Sequence, residues 1–221
     1  MKGKSHEDFV VLKGIEYDTC DAGHIIVIMP EGVKMRLLEL KGLPVSVLID
    51  FVHRHGGVLG PAHPCGEKYM SIANTKKFYQ SPEIMKRFDF IEAYNCCESV
   101  ASNTGAARLA AKYKKVTTGG SDSHKTGCVG RAYTILPEPV TCETELISMI
   151  HKKVPFEVGG VQYEKTTKDR IGKVNKVLVY SFWLYNKGGE LIKRRGRKVK
   201  MEEEHPIDPI DPIELYYTGK S

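Results

Sequence analysis

The chain reads as an α/β protein built on a parallel sheet, and two observations lead there. Short β-branched runs alternate with helix-like stretches, an order that favours parallel strands joined by crossover helices. Several of those runs also close on polar residues: Gly14-Ile15-Glu16, Ala62-His63-Pro64, Glu92-Ala93-Tyr94-Asn95 and Gly119-Gly120-Ser121-Asp122-Ser123-His124. In a parallel sheet all four closes fall on one rim. The last is the most informative, because a β-branched strand ends in two glycines and then presents a carboxylate and an imidazole two residues apart.

Taken in order, residues 9–15 and 25–29 predict two strands joined by the turn from Asp18 to Gly23. Pro44 stands at a first helical position, and Val45, Val47, Leu48, Phe51 and Val52 predict a mostly apolar helix that stops at Gly56-Gly57. A strand follows over 58–63. Ser81-Pro82-Glu83 predicts the N-cap, first-turn proline and dipole-favoured acid of a short helix through Phe88, ahead of a strand over 90–94. The alanine-rich stretch 99–113 predicts a helix suited to close packing on a sheet. Strands over 116–120, 132–136 and 156–158 then flank a helix over 141–152, whose first turn carries Glu143 and Glu145, and a last helix is predicted over 167–186.

At 221 residues, 41% of them apolar, the chain can bury a sizeable core. It divides into one domain over residues 1–190 and a tail over 191–221, first basic, then acidic and proline-broken. No apolar stretch approaches the ~20 residues of a membrane helix, and Met1 to His6 lacks a signal peptide's apolar run. A cytoplasmic location without a membrane partner is therefore expected. The six cysteines form no C-x-x-C pair, which favours reduced thiols. Much of the net charge of +6 sits in Lys193 to Lys200, a run that leaves nucleic acid open as a partner, while the body is closer to neutral.

The residues able to do chemistry are Glu16, His63, Asn95, Asp122 and His124, all at expected strand ends, where loops carry polar groups without disturbing a core. His24 opens its strand after Gly23, and the preceding turn can return it to the same rim. Carboxylates bridge cations and imidazoles donate neutral nitrogen, so this set suits zinc, manganese or iron.

In this order the motifs Gly14-Ile15-Glu16, Gly23-His24, Ala62-His63-Pro64, Glu92-Ala93-Tyr94-Asn95 and Gly120-Ser121-Asp122-Ser123-His124 resemble the PHP (polymerase and histidinol phosphatase) superfamily, from about Phe9 to Asn186. The resemblance implies a distorted (β/α)7 barrel with a two- or three-metal phosphoesterase site. It implies that Glu16 bridges metals, that His24, His63, Asp122 and His124 are terminal ligands, and that Glu16 and Asp122 carry catalysis through a metal-activated hydroxide. Asn95 is then a rim residue of the substrate-binding set, with Lys125 and Arg131 as phosphate clamps. A phosphorylated small molecule or nucleotide is the implied partner.

Family members open with a strand bearing His-x-His and a second ending in Asp-His, and this chain starts after both. The expected barrel is therefore N-terminally truncated, its bare edges open to self-association. A non-catalytic remnant that binds a metal or a phosphorylated ligand, and a fragment of a longer reading frame, are the rival readings. His53-Arg54-His55 is a decoy, because residues i and i+2 of a helix point to nearly opposite sides. Gly119 to Thr126 departs from a P-loop at His124, and Cys96-Cys97 reads first as a buried structural pair.

Overall fold

The computed structural model describes residues 9–33, 36–67, 70–124 and 126–162. The helix predicted over 167–186 and the tail over 191–221 lie outside the described residues. Seven strands are present among the described residues: β1 (Ile15–Thr19), β2 (Gly23–Ile28), β3 (Val58–Pro61), β4 (Phe90–Asn95), β5 (Val116–Gly120), β6 (Ala132–Ile135) and β7 (Glu157–Gly160). The α-helices are α1 (Val45–Arg54), α2 (Lys76–Gln80), α3 (Val100–Tyr113) and α4 (Glu143–His151).

The fold is α/β, but the strands form three small sheets, and no closed barrel is present among the described residues. β1-β2-β3 is antiparallel, β4-β5 is parallel and β6-β7 is antiparallel. The fully parallel sheet expected from the element order is thus found only where α3 supplies a crossover, between β4 and β5. Three residues separate β1 from β2, far too few for a crossover connection, so that link is a hairpin. Because β2 is antiparallel to both neighbours, β1 and β3 still run the same way, and the end of β3 meets the start of β2. The strand predicted from residue 9 begins only at Ile15, and Phe9 to Val11 are exposed.

The sheets succeed one another in space. Asp89 N, just before β4, donates to Leu59 O of β3 at 2.9 Å, and Gly119 N of β5 donates to Thr134 Oγ1 of β6 at 2.9 Å. Side-chain alternation sends successive residues to two cores. Ile25 and Val27 join Tyr17, Leu59 and Ile91 beneath α1 and α3, while Ile26 and Ile28 meet Val58, Phe90, Val116 and the α4 residues Ile147 and Ile150.

Local chemistry decides the helix ends. Pro44 caps α1 without a side-chain acceptor, and Asp21 in the β1–β2 turn supplies it instead, accepting from Val45 N at 2.8 Å. Ser99 caps α3 by accepting from Ser102 N at 3.1 Å. Ser81 makes no such bond, and Pro82–Arg87 is a 3-10 rather than an α-helical segment. The short helix α2, capped by Thr75, carried no periodic apolar pattern that would have predicted it.

β3 and β4 approach so closely at Gly60 that an added Cβ would lie 2.4 Å from Phe90 O. Backbone cannot yield there as a flexible side chain would. Gly60→Ala is therefore expected to destabilise the fold by about 1–3 kcal/mol, the usual cost of overpacking. Gly127→Ala, where an added Cβ meets nothing within 4 Å, should cost little; urea denaturation of the two variants measures the contrast.

Candidate metal centre

The β1–β2 hairpin pairs Asp18 with His24 and Glu16 with Ile26, so Glu16 and His24 lie diagonally on one face. Tyr17, Thr19, Ile25 and Val27 are buried on the other. β3 then delivers His63 from beyond its end, where Ala62 N donates to His24 O at 3.1 Å and keeps the two segments in register. One ligand atom from each of Glu16, His24 and His63 falls within 4.8 Å of the others. The imidazoles meet edge to face, with centroids 5.4 Å apart.

Glu16 Oε1 lies 2.7 Å from His24 Nδ1 and 3.4 Å from His63 Nε2. His24 pushes the Glu16 carboxyl well below the usual carboxylate range, His63 adds to this, and partial burial opposes it. Close as it is, the His24 contact is out of line for an N–H···O bond: His24 Nδ1 is a buried nitrogen without a hydrogen-bond partner. The attraction between the ring nitrogen and the carboxylate oxygen is electrostatic. Two imidazoles, one of them with a buried nitrogen that lacks a hydrogen-bond partner, and one carboxylate fit a divalent ion of the zinc, manganese or iron type.

His63 is strained and heavily supported. Its φ is +31°, a region that side chains other than glycine enter at a cost and that recurs at functional sites. Nδ1 faces Ser71 Oγ at 3.1 Å, leaving Nε2 toward Glu16. Burial pulls its proton affinity down, but the Glu16 contact and the charges of Glu92, Glu16 and Asp122 prevail and raise it above the ordinary imidazole value.

Glu92 is the site residue that sequence reasoning passed over. It is 6% exposed in the middle of β4, where Oε2 accepts from His63 N at 2.7 Å and from Asn95 Nδ2 at 3.1 Å. Desolvation raises its pKa, and those two donors oppose the rise. The available signal was an acid inside the apolar run Phe90-Ile91-Glu92-Ala93, since a carboxylate is seldom buried without partners. Gly120 is tied to it, because an added Cβ would lie 2.3 Å from Glu92 Oε1.

Asp122 follows β5 with its side chain 9% exposed and a φ of +43°. Its charge is felt by both His63 and Glu92. The thiols of Cys96 and Cys97 donate to Ser121 O at 3.3 Å, and Cys97 also lies 3.6 Å from Asp122 O, so the cysteine pair braces this loop. Asp122 and His124 stand outside the three-residue donor group. His124 is 51% exposed, with Nδ1 3.0 Å from the Asp122 carbonyl oxygen.

The substrate-binding set is dispersed. Asn95 is 1% exposed, with its amide engaged by Glu92 and Cys97 N. Arg131 is exposed just before β6. Lys125 lies outside the described residues. His53 and His55 serve elsewhere, His53 Nε2 on Asp89 at 2.9 Å and His55 Nδ1 on Phe51 O at 2.8 Å.

Among known proteins, no curated protein matches the chain. The crystal structure of PsfC from Pseudomonas syringae PB-5123 is similar, with a TM-score of 0.42 and 16% identity over 79% of this chain. The chain spans 65% of the length of that structure. A family model described as PHP-associated matches residues 101–155, a stretch that carries Asp122 and His124 but ends short of Glu16, His24 and His63 on its N-terminal side. That match is consistent with a domain related to the PHP superfamily.

Proposed function

We propose that the chain is a metal-dependent phosphoesterase whose centre is the group Glu16, His24 and His63, with Asp122 beside it. The observation that carries this reading is the convergence of three donors, one a buried nitrogen without a hydrogen-bond partner, from β1, β2 and the segment that follows β3. The PHP-associated match over 101–155 supports it, and the succession of three sheets is read as an arc of a distorted, PHP-type (β/α)7 barrel.

Glu16, His24 and His63 would hold a divalent ion, and His124 would turn inward to a second. Such ions supply an acidified water and positive charge for phosphoryl oxygens. Glu92 fixes the His63 main chain and so the direction of Nε2. Asp122, nearly buried, would take up at a carboxylate oxygen the proton of the attacking water, while the ester P–O bond breaks and the departing alkoxide takes a proton from solvent. Arg131 and Lys125 would clamp the phosphate, Arg in the bidentate manner. A second reading, a non-catalytic module with a single ion, is favoured by the fact that three donors suffice for only one.

Purified chain loaded with manganese should hydrolyse a generic phosphomonoester, and Asp122→Ala should lower the rate by about 100-fold or more. Undiminished activity in the variant sinks the phosphoesterase reading. Elemental analysis separates the readings: two or three ions per chain fit an enzyme, and one fits the module.

A pH dependence follows from the Glu16–His63 pair. The depressed Glu16 carboxyl contributes stability above its ordinary pKa of 4.5, lost as pH falls through the folded value. The raised His63 imidazole contributes below its ordinary 6.5, lost as pH rises through the folded value. Both contributions are therefore complete only between those two values. In metal-free protein, Glu16→Gln should lower the melting temperature more at pH 5.5 than at pH 8.5, as differential scanning calorimetry would show.

A further inference from the structure

At the opposite ends of β4 and β5 from the metal centre lies a second cleft, of about 290 Å³. By the rise per residue of β4 the two are roughly 15 Å apart. Phe88 and Ile150, both nearly fully buried, line part of it, and its remaining lining is polar and predominantly basic. The cations are Lys86, Arg87, Lys115 and Lys153, and the single acid among the lining residues is Asp89.

The pairing of these charges is uneven. Lys86 pairs with Glu83, and Arg87 with Asp50. Asp89 is committed as well: its Oδ2 accepts from Leu59 N at 2.9 Å and faces His53 Nε2 at 2.9 Å. Lys115 and Lys153 line the same cleft and form no ion pair among the described residues. Lys115 Nζ donates one hydrogen to the Lys86 carbonyl at 2.7 Å, a geometry that anchors the ammonium and leaves two donors for another acceptor. Its proton affinity is lowered by burial and by Lys153, with Asp89 only partly compensating. Lys153 is itself fixed by its backbone, with a φ of +54° and its N–H bonded to Ile150 O at 2.9 Å.

Two lysines that line one concave pocket, neither in an ion pair among the described residues, suit an anion that reaches both. A phosphate group suits them: it carries close to two negative charges and several acceptor oxygens, and the Arg87 fork lies within the same lining. The small volume argues for a compact ligand rather than a nucleic-acid strand. We propose that this cleft is a binding site for the phosphate group of a small molecule, built around Lys115 and Lys153 and separate from the Glu16–His24–His63 centre. The site stands independently of the phosphoesterase reading.

The test is a phosphate titration of the 15N-labelled, metal-free full chain at constant ionic strength, followed by amide NMR. Saturable shifts should appear at residues 86–89, 115 and 151–153, and Lys115→Met or Lys153→Asn should each weaken binding by about tenfold. Asparagine tolerates the left-handed backbone at 153, so one variant still decides the matter if the other fails to fold. His63→Ala should leave the affinity unchanged. Linear, unsaturable shifts, equal shifts with acetate, unchanged affinity in a folded lysine variant, or loss of binding in His63→Ala would each overturn the proposal.

Discussion

The rim of this protein depends on one part-buried hydrogen bond, from His63 N to Glu92 Oε2 at 2.7 Å. A carboxylate inside a strand is costly to desolvate, and it is tolerable only when strong donors compensate. Here the donors are a main-chain N–H at a strained φ and the Asn95 amide. The same bond therefore offsets two costs, the burial of Glu92 and the backbone strain of His63. It also joins two sheets that share no ladder, since His63 belongs to the β3 end and Glu92 to β4. Removing it would release the imidazole that completes the donor group and loosen the β3–β4 seam together.

That constraint propagates into β5. Glu92 Oε1 occupies the space a side chain at position 120 would need, which accounts physically for the glycine ahead of Asp122. The next turn is then held by thiols rather than by regular structure, Cys96 and Cys97 both reaching Ser121 O. Asp122 is delivered to the neighbourhood of His63 by this bracing and not by the strand itself. Two chemically weak donors holding a strained aspartate make a support that a bulky or oxidised residue at 96 or 97 would displace.

Much of this was legible in the sequence, and the limits have physical causes. Strands β2 to β6 and helices α1, α3 and α4 announce themselves through β-branched runs, caps and apolar spacing, and their observed bounds lie within a few residues of the expected ones. At β1–β2 the turn expected from Asp18 to Gly23 implied a hairpin, and what the pattern of buried residues left unread was that β3 would add antiparallel to β2. Glu16 was read as a strand end and is the second residue of β1. It reaches the site because pleating puts it on the His24 face, a property of register rather than of position along the strand. Glu92 was overlooked for the converse reason: a polar residue inside an apolar run looks like an interruption until its partners, His63 N and Asn95, are placed beside it.

The two ends of β4 show how one strand serves opposite electrostatic needs. Toward its carboxyl end Glu92 and the neighbouring Asp122 concentrate negative charge, which raises His63 and favours cations. Just before its amino end Asp89 is surrounded by lysines and arginine, and it is satisfied by Leu59 N and His53 rather than by them. The polarity follows from where the charges stand, because Phe90 and Ile91, between Asp89 and Glu92, are buried and carry no charge. Charges of opposite sign are thereby kept apart by a low-dielectric layer instead of neutralising each other.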